Sequence, residues 1–289
     1  MSDKVPEIFD RALRHQRLRR AYPHFNKADF LLRRMAQDMN ERLLDVNRKF
    51  DKALIVTPHE SVLEEITALT DKVRHVEMAL STPLDDRFLD EENPQLQKAD
   101  YDLILSLNGL HCVNDLLGSL IQYHLALRPD GLFLAGFAGG ETLTELRQSF
   151  LQAETETTSG ASPRVHPFAD LQDMAALMQR AGFALPVVDY DRVTVRYEHA
   201  LALLKDLRHM GETNCLKDRH RQPLKRQTLM RMAEIYQQNH QHDDGKIPAI
   251  FDLIYLAGWA PHESQQKPLR PGSAKMRLAD ALGVEEKKI

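Results

Sequence analysis

The stretch Asp100-Tyr-Asp-Leu-Ile-Leu-Ser-Leu-Asn-Gly-Leu-His-Cys-Val-Asn-Asp-Leu-Leu117 decides the fold. Asp102 to Leu107 is a short, almost continuously apolar run, the pattern of a strand buried on both faces. A polar turn, Ser106 to Asn114, follows it. Helical spacing then begins at Leu116, Leu117, Leu120, Ile121 and Leu125. Upstream, Lys52-Ala-Leu-Ile-Val-Thr is a second buried strand stopped by Pro58, Ser61 to Leu69 is a helix, and Val73 to Leu80 is another strand. Downstream, Arg128-Pro-Asp-Gly turns the chain into Leu132-Phe-Leu-Ala-Gly-Phe. Strands that alternate with helices and carry few polar residues predict an α/β class protein with a doubly wound, mostly parallel sheet covered on both faces.

Beyond Gly140, helices are predicted over Thr142 to Thr155 and Phe168 to Arg180, with Gly182 at a C-cap position. Strand signals follow at Leu185 to Tyr190 and at Arg192 to Tyr197. A polar, helix-rich insertion, 198–247, then precedes the last apolar run, Pro248 to Trp259. At the other end, Ala28 to Leu44 is an amphipathic helix with Asp29 at its start. The basic cluster Arg11, Arg14, Arg17, Arg19 and Arg20 is interrupted by Asp3, Glu7 and Asp10, which argues for an edge helix with a solvated or partner-facing charged face over a transit peptide. The expected organisation is a helical extension over 1–50, the main domain over 51–263 and an extended or disordered tail over 264–289.

Of the 289 residues, 43% are hydrophobic and 28% charged, enough apolar side chains for a sizeable core. Lys plus Arg is 38 against 42 Asp plus Glu, a formal charge of -4, which argues against a nucleic-acid coat. Each apolar run is shorter than the roughly 20 residues of a membrane-spanning helix, so no transmembrane segment is expected. Cys112 and Cys215 are far apart in sequence and neither belongs to a CxxC pair. That predicts neither a disulfide framework nor a metal site, and it fits a reducing, cytoplasmic setting. His240-Gln-His-Asp-Asp-Gly lacks flanking apolar residues and is read as a polar turn.

Ligands of doubly wound sheets bind at the carboxyl ends of the strands, near the point where strand order reverses. This directs attention to the turns at Thr57 to Ser61, Glu77 to Ser81, Ser106 to Asn114 and Ala138 to Thr142. Asn114 is placed to cap the helix after the third turn, and His111 lies near the cleft. Gly139-Gly-Glu before a helix suits an anion or a close backbone approach, and equally a plain strand-to-helix turn.

The Asp100 to Leu116 run, together with Leu127-Arg-Pro-Asp-Gly-Leu-Phe and Gly139-Gly-Glu-Thr-Leu-Thr-Glu-Leu-Arg, resembles the class I S-adenosylmethionine-dependent methyltransferases. More closely, the chain is similar to the mitochondrial complex I assembly-factor family of arginine hydroxylases and its bacterial relatives, and to the biotin-pathway malonyl-carrier-protein methyltransferases. Ile8-Phe-Asp-Arg, Ser162-Pro-Arg-Val-His-Pro-Phe, Asp206-Leu-Arg-His-Met-Gly-Glu-Thr-Asn and Gly258-Trp-Ala-Pro-His-Glu-Ser-Gln extend the resemblance over nearly the whole chain. It implies a methyltransferase-like fold, S-adenosylmethionine as cofactor and a respiratory complex I subunit or assembly protein as partner.

The chain departs from that pattern after the first strand, where Thr57-Pro-His replaces a Gly-x-Gly turn. Side chains there obstruct the cofactor's amino-acid end, and Pro58 removes an amide donor. Glycine is scarce throughout, 13 of 289 residues against a usual figure near 7%. The resemblance places the cofactor against Thr57, His59, Glu77, Asp85, Ser106 and Asn108, with Glu77 as the ribose-binding acid. Only 22 positions separate Leu80 from Asp102, so the wall that would hold adenine is expected to be short. A substrate or partner is expected at His111, Asn114, Asp115, Gly139, Gly140, Glu141, Arg147, Arg208 and Glu212; no residue is assigned a catalytic role. The expected function is that of a complex I assembly-factor type protein acting on or assisting a respiratory-chain subunit, with a degenerate cofactor turn. The alternatives are an active methyltransferase on a small or carrier-bound acid and a non-catalytic scaffold.

Overall fold

The computed structural model describes residues 6–158 and 160–265. Most of the expected tail lies outside the described residues. The order is α1 (Arg11–Ala21), α2 (Phe30–Asp45), β1 (Phe50–Thr57), α3 (Ala68–Lys72), β2 (Val73–Leu80), β3 (Tyr101–Leu107), α4 (Leu116–Ala126), β4 (Leu127–Gly139), α5 (Thr144–Thr157), α6 (Leu171–Arg180), β5 (Ala184–Tyr197), α7 (Ala200–His209), α8 (Arg226–His240) and β6 (Ile247–Trp259). The sheet order is β2-β1-β3-β4-β6-β5. The first four strands are parallel, and β6 runs antiparallel to both β4 and β5. Among the described residues no helix is long and apolar enough to cross a membrane.

Successive strand residues point to opposite faces, and both faces are covered. Ala53, Ile55, Leu103, Leu105, Leu132 and Leu134 pack with α2, α5, α7 and α8 in one core. Leu54, Val56, Ile104, Phe133, Ala135 and Phe137 pack with α4 and α6 in the other. The helix α2 thus belongs to the main core, where Met35, Ala36, Met39 and Leu43 are buried.

Four details differ from the sequence reading. The predicted helix 61–69 is a 3-10 turn, Glu60–Glu65, followed by the short α3. The Arg128 to Gly131 turn is absorbed into β4 as a register irregularity, with Asp130 at φ 62°. The two strand signals after Gly182 are one long strand, β5, whose alternating exposure is that of an edge strand. Finally, α1 does not present a merely solvated basic face. Asp10 caps it by accepting from the Leu13 amide, and Arg14 is 2% exposed. Phe9 bridges Leu216, so the start of the chain is tied to the insertion. Residues 81–100, which join β2 to β3, contain no helix or strand beyond a single bridge between Leu80 and Phe88, consistent with the short wall expected there.

Candidate functional site

The site is built where β3 ends. Asn108 turns the chain with φ 54°, and its amide donates to the Gly136 carbonyl of β4 at 2.7 Å. The following single 3-10 turn, Leu110–Cys112, buries His111 and Cys112. From the other side, the chain reverses just beyond α7 at Gly211, whose φ of 77° is in the left-handed region that glycine adopts without strain, and the reversal delivers Glu212. The third contributor is Arg14 from α1. Its two terminal nitrogens donate to the two Glu212 oxygens at 2.8 and 2.7 Å. Glu212 also lies 3.0 Å from His111 Nε2 and accepts from Asn108 Nδ2 at 3.3 Å.

Burial alone would raise the Glu212 pKa, but the neighbouring Arg14 and His111 outweigh it and hold the carboxyl well below the ordinary carboxylate range. His111 is shifted the other way. Burial lowers its pKa despite the attraction of Glu212, which favours a neutral imidazole near pH 7. Its Nδ1 has no hydrogen-bond partner among the described residues.

Beside this network, Cys112 Sγ lies 3.6 Å from His166 Nδ1, and Cys215 Sγ lies 3.4 Å from His166 Nε2. The Cys215 amide also donates to Nε2, at 3.1 Å. Burial raises the Cys112 thiol, whereas hydrogen bonds from Cys112 and His166 lower that of Cys215. The two cysteines, far apart in sequence, therefore meet on one imidazole. One ligand atom each from His111, Cys112, His166 and Glu212 fall within 4.8 Å of one another.

Asn108, His111 and Glu212 of this network line a cavity of about 300 Å³. Its walls are apolar, including Phe25, Leu32, Met35, Leu146, Phe150 and Leu207, while Arg17, Arg164 and Arg208 add basic groups. Arg164 is paired with buried Glu154, and Arg17 donates to the Asn214 carbonyl. Arg208 is exposed. Such a chamber suits an apolar stem with a polar end held at Asn108, His111 and Glu212.

The residues expected to hold S-adenosylmethionine are arranged differently. At the end of β1, buried Thr57 donates to the His59 carbonyl at 3.0 Å. His59 is itself buried, with its ring stacked on Phe25 at 4.9 Å. Thr82, 1% exposed, donates to the Pro58 carbonyl at 2.8 Å. At the end of β3, Ser106 donates to Glu91 at 2.5 Å, and Glu91 is 1% exposed. Glu77 does not lie at a strand end. It sits three residues before the end of β2, where it accepts from the Tyr101 hydroxyl at 3.0 Å and lies 3.1 Å from Lys52 Nζ. Asp85 is a surface partner of Arg87. The ends of the first three strands are thus packed with the chain's own side chains, an arrangement that does not fit an open cofactor cradle.

The remaining candidates divide as well. Asn108, His111, Arg208 and Glu212 line the cavity. Asn114 accepts from the Ile8 and Phe9 amides at 2.7 and 2.8 Å, so it anchors the start of the chain; Asp115 is the residue that caps α4, accepting from the Gly118 amide. The turn Gly139 to Glu141 is a plain strand-to-helix turn. The Gly140 amide donates to Ala169, the Glu141 amide to Asp252 and the Thr142 amide back to Gly139, which leaves none of the three for an anion. Arg147 donates to the His166 carbonyl at 3.0 Å. Sequence reasoning missed Arg14, Glu91, His166 and the meeting of Cys112 with Cys215. His166 carried one signal, its place in the quoted Ser162 to Phe168 segment.

An arginine hydroxylase of Danio rerio, NDUFAF5, named as mitochondrial, is 35% identical over 286 residues that cover 94% of this chain and 89% of the relative. The chain belongs to the NDUFAF5 arginine-hydroxylase family. A malonyl-[acyl-carrier protein] O-methyltransferase of Laribacter hongkongensis is 32% identical over 183 residues, covering 63% of the chain and 59% of that protein. Among solved structures, a candidate methyltransferase of Bacillus halodurans superposes with a TM-score of 0.50 at 12% identity, over 78% of this chain and 99% of that one. The NDUFAF5-type chain described here therefore has the class I methyltransferase fold. No family model matches it.

Proposed function

We propose that the protein acts as a complex I assembly-factor type protein, engaging an arginine of a respiratory-chain subunit, with S-adenosylmethionine binding lost. The observation that carries this reading is the match to an arginine hydroxylase over 94% of the chain, together with an apolar cavity lined at its polar part by Asn108, His111 and Glu212. Arg14 holds the Glu212 carboxylate ionised and occupies both of its oxygens, so Glu212 orders the polar lining and is not itself free to take a second guanidinium. The packed turn at Thr57, His59, Thr82 and Glu91 supports loss of the cofactor and speaks against a methyltransferase acting on a carrier-bound acid. Two buried free cysteines fit a reducing compartment, either the cytoplasm or the mitochondrial setting in the relative's name.

The test compares cells that lack the protein with cells complemented by wild type or by Glu212→Gln. Peptide masses of the complex I subunits are expected to show one added oxygen on an arginine only with wild type. Normal complex assembly without any oxygen-bearing arginine would sink the reading. Assembly that needs the protein while no arginine gains oxygen would leave a scaffold role in its place.

A further inference from the structure

The buried cluster around His166 brings together a mixed donor set, of which the reading above leaves Cys112 and His166 unused. We propose that His111, Cys112, His166 and Glu212 bind one late first-row divalent transition-metal ion, of the Fe(II), Co(II) or Zn(II) class. Their ligand atoms lie within 4.8 Å of one another, and three of the four residues are buried. Two imidazoles, a thiolate and a carboxylate form a mixed nitrogen, sulfur and oxygen set, which suits these ions and not magnesium or calcium.

Two spacings already match a tetrahedral site, and the others, up to 4.8 Å, must close by about an ångström. Across a tetrahedral ion with ordinary bond lengths, a sulfur and a nitrogen ligand stand about 3.6 Å apart, and a nitrogen and an oxygen about 3.3 Å apart. Cys112 Sγ and His166 Nδ1 are 3.6 Å apart, and His111 Nε2 and Glu212 Oε2 are 3.0 Å apart. The residues also come from firmly held backbone. Asn108 and Asn114 fix the two ends of the His111 turn, and the Gly211 reversal fixes Glu212.

Buried Arg14 sets a charge condition that the cluster can meet. With Cys112 and Cys215 both ionised, the ion, two thiolates, Glu212 and Arg14 are together electrically neutral. Arg14 keeps its two hydrogen bonds and continues to orient the carboxylate. If His166 binds through Nδ1, its proton moves to Nε2, where Cys215 Sγ stands 3.4 Å away as acceptor, at the expense of the hydrogen bond from the Cys215 amide. A ligand imidazole whose other nitrogen is hydrogen-bonded is the usual arrangement in metal sites.

The test uses the full chain, purified metal-free and reduced, and titrated anaerobically with Co(II). The expected result is a thiolate-to-Co(II) charge-transfer band that saturates at one ion per chain. Cys112→Ser should abolish the band, and His166→Ala should weaken binding about tenfold or more. His240→Ala, on α8, should change neither. Thermal melts of the metal-free variants establish that each is folded; if Cys112→Ser does not fold, Glu212→Asp is read in its place and should shift the band and weaken binding. The proposal is overturned if the folded, reduced wild type shows no such band at saturating Co(II). It is equally overturned if the band persists in Cys112→Ser, or if the two cysteines prove to be joined as a disulfide under these conditions. The spectroscopic readout is independent of arginine oxidation, so metal binding and the proposed function can fail separately.

Discussion

Arg14 and Glu212, 198 residues apart in the chain, are joined by two parallel hydrogen bonds in an environment that leaves Arg14 2% exposed. Removing one charge from such a buried pair strands the other, which costs about 3–5 kcal/mol. Arg14→Met and Glu212→Gln should each lower stability by roughly that amount in urea unfolding. The double variant leaves no unpaired charge, and the glutamine can accept from Asn108 through its oxygen and donate to His111 through its amide nitrogen. It should therefore be more stable than the sum of the single losses by at least about 1 kcal/mol. Simple additivity would show that the pair is not coupled.

Glu91 gives the fold a pH dependence. Burial raises its pKa from 4.5 to about 7, although Ser106 and Tyr123 hydrogen bonds oppose the shift. Because the folded state holds this proton more tightly than the unfolded state, the group's contribution is most favourable below about pH 4.5. It declines as pH rises to about 7 and is flat above that. Glu91→Gln imitates the protonated acid at every pH. Relative to wild type it should gain stability between pH 4.5 and 8, by on the order of 3 kcal/mol at most. Unfolding free energies at the two ends of that range decide the matter; an equal difference at both would refute it.

Gly109 leaves room for Glu91. A Cβ added at Gly109 would stand 1.2 Å from Glu91 Oε2. Gly109→Ala should cost on the order of 1–3 kcal/mol through overpacking. Combining it with Glu91→Ala, which opens the space, should cost less than the two single changes added together. A Gly109→Ala variant with the wild-type unfolding midpoint would mean that Glu91 is not held there.

Calorimetric titration with S-adenosylmethionine should detect no binding up to about millimolar ligand, where only about 4 kcal/mol is available. His59→Gly should not create affinity by itself, since Thr82 and Glu91 still occupy the neighbouring strand ends. Micromolar binding by wild type would restore the transferase reading.

The central strands were legible because they are apolar almost throughout, as at Leu103 to Leu105. β5 was misread as two pieces broken at Asp191, beside the equally polar Asp189. Their outward positions are instead held by α2, through Arg42 on Asp189 and Arg34 on Asp191. Such long-range ion pairs have no local signature. The same holds at the site. His111 stood out through its place in the turn after β3 and Glu212 through the family resemblance, but which of the five arginines near the start would be buried depended on what the α7 reversal presents. Glu77 was misplaced because an acid within a strand and one at its end look alike in sequence, and pairing with Lys52 and Tyr101 keeps it on the sheet surface.

The 198-residue separation also sets a schedule for biosynthesis. At ribosomal speeds of about 5–20 residues per second, Arg14 must wait roughly 10 to 40 s before Glu212 is made. Through that interval Arg14 has no Glu212 to pair with, although Asp10, Asp90 and Glu92 already serve the helix, and Phe9 has no Leu216. The nascent chain therefore passes through a stage in which only its four parallel strands can pair, β5 still waiting for β6, while its amino-terminal segment remains available to a chaperone.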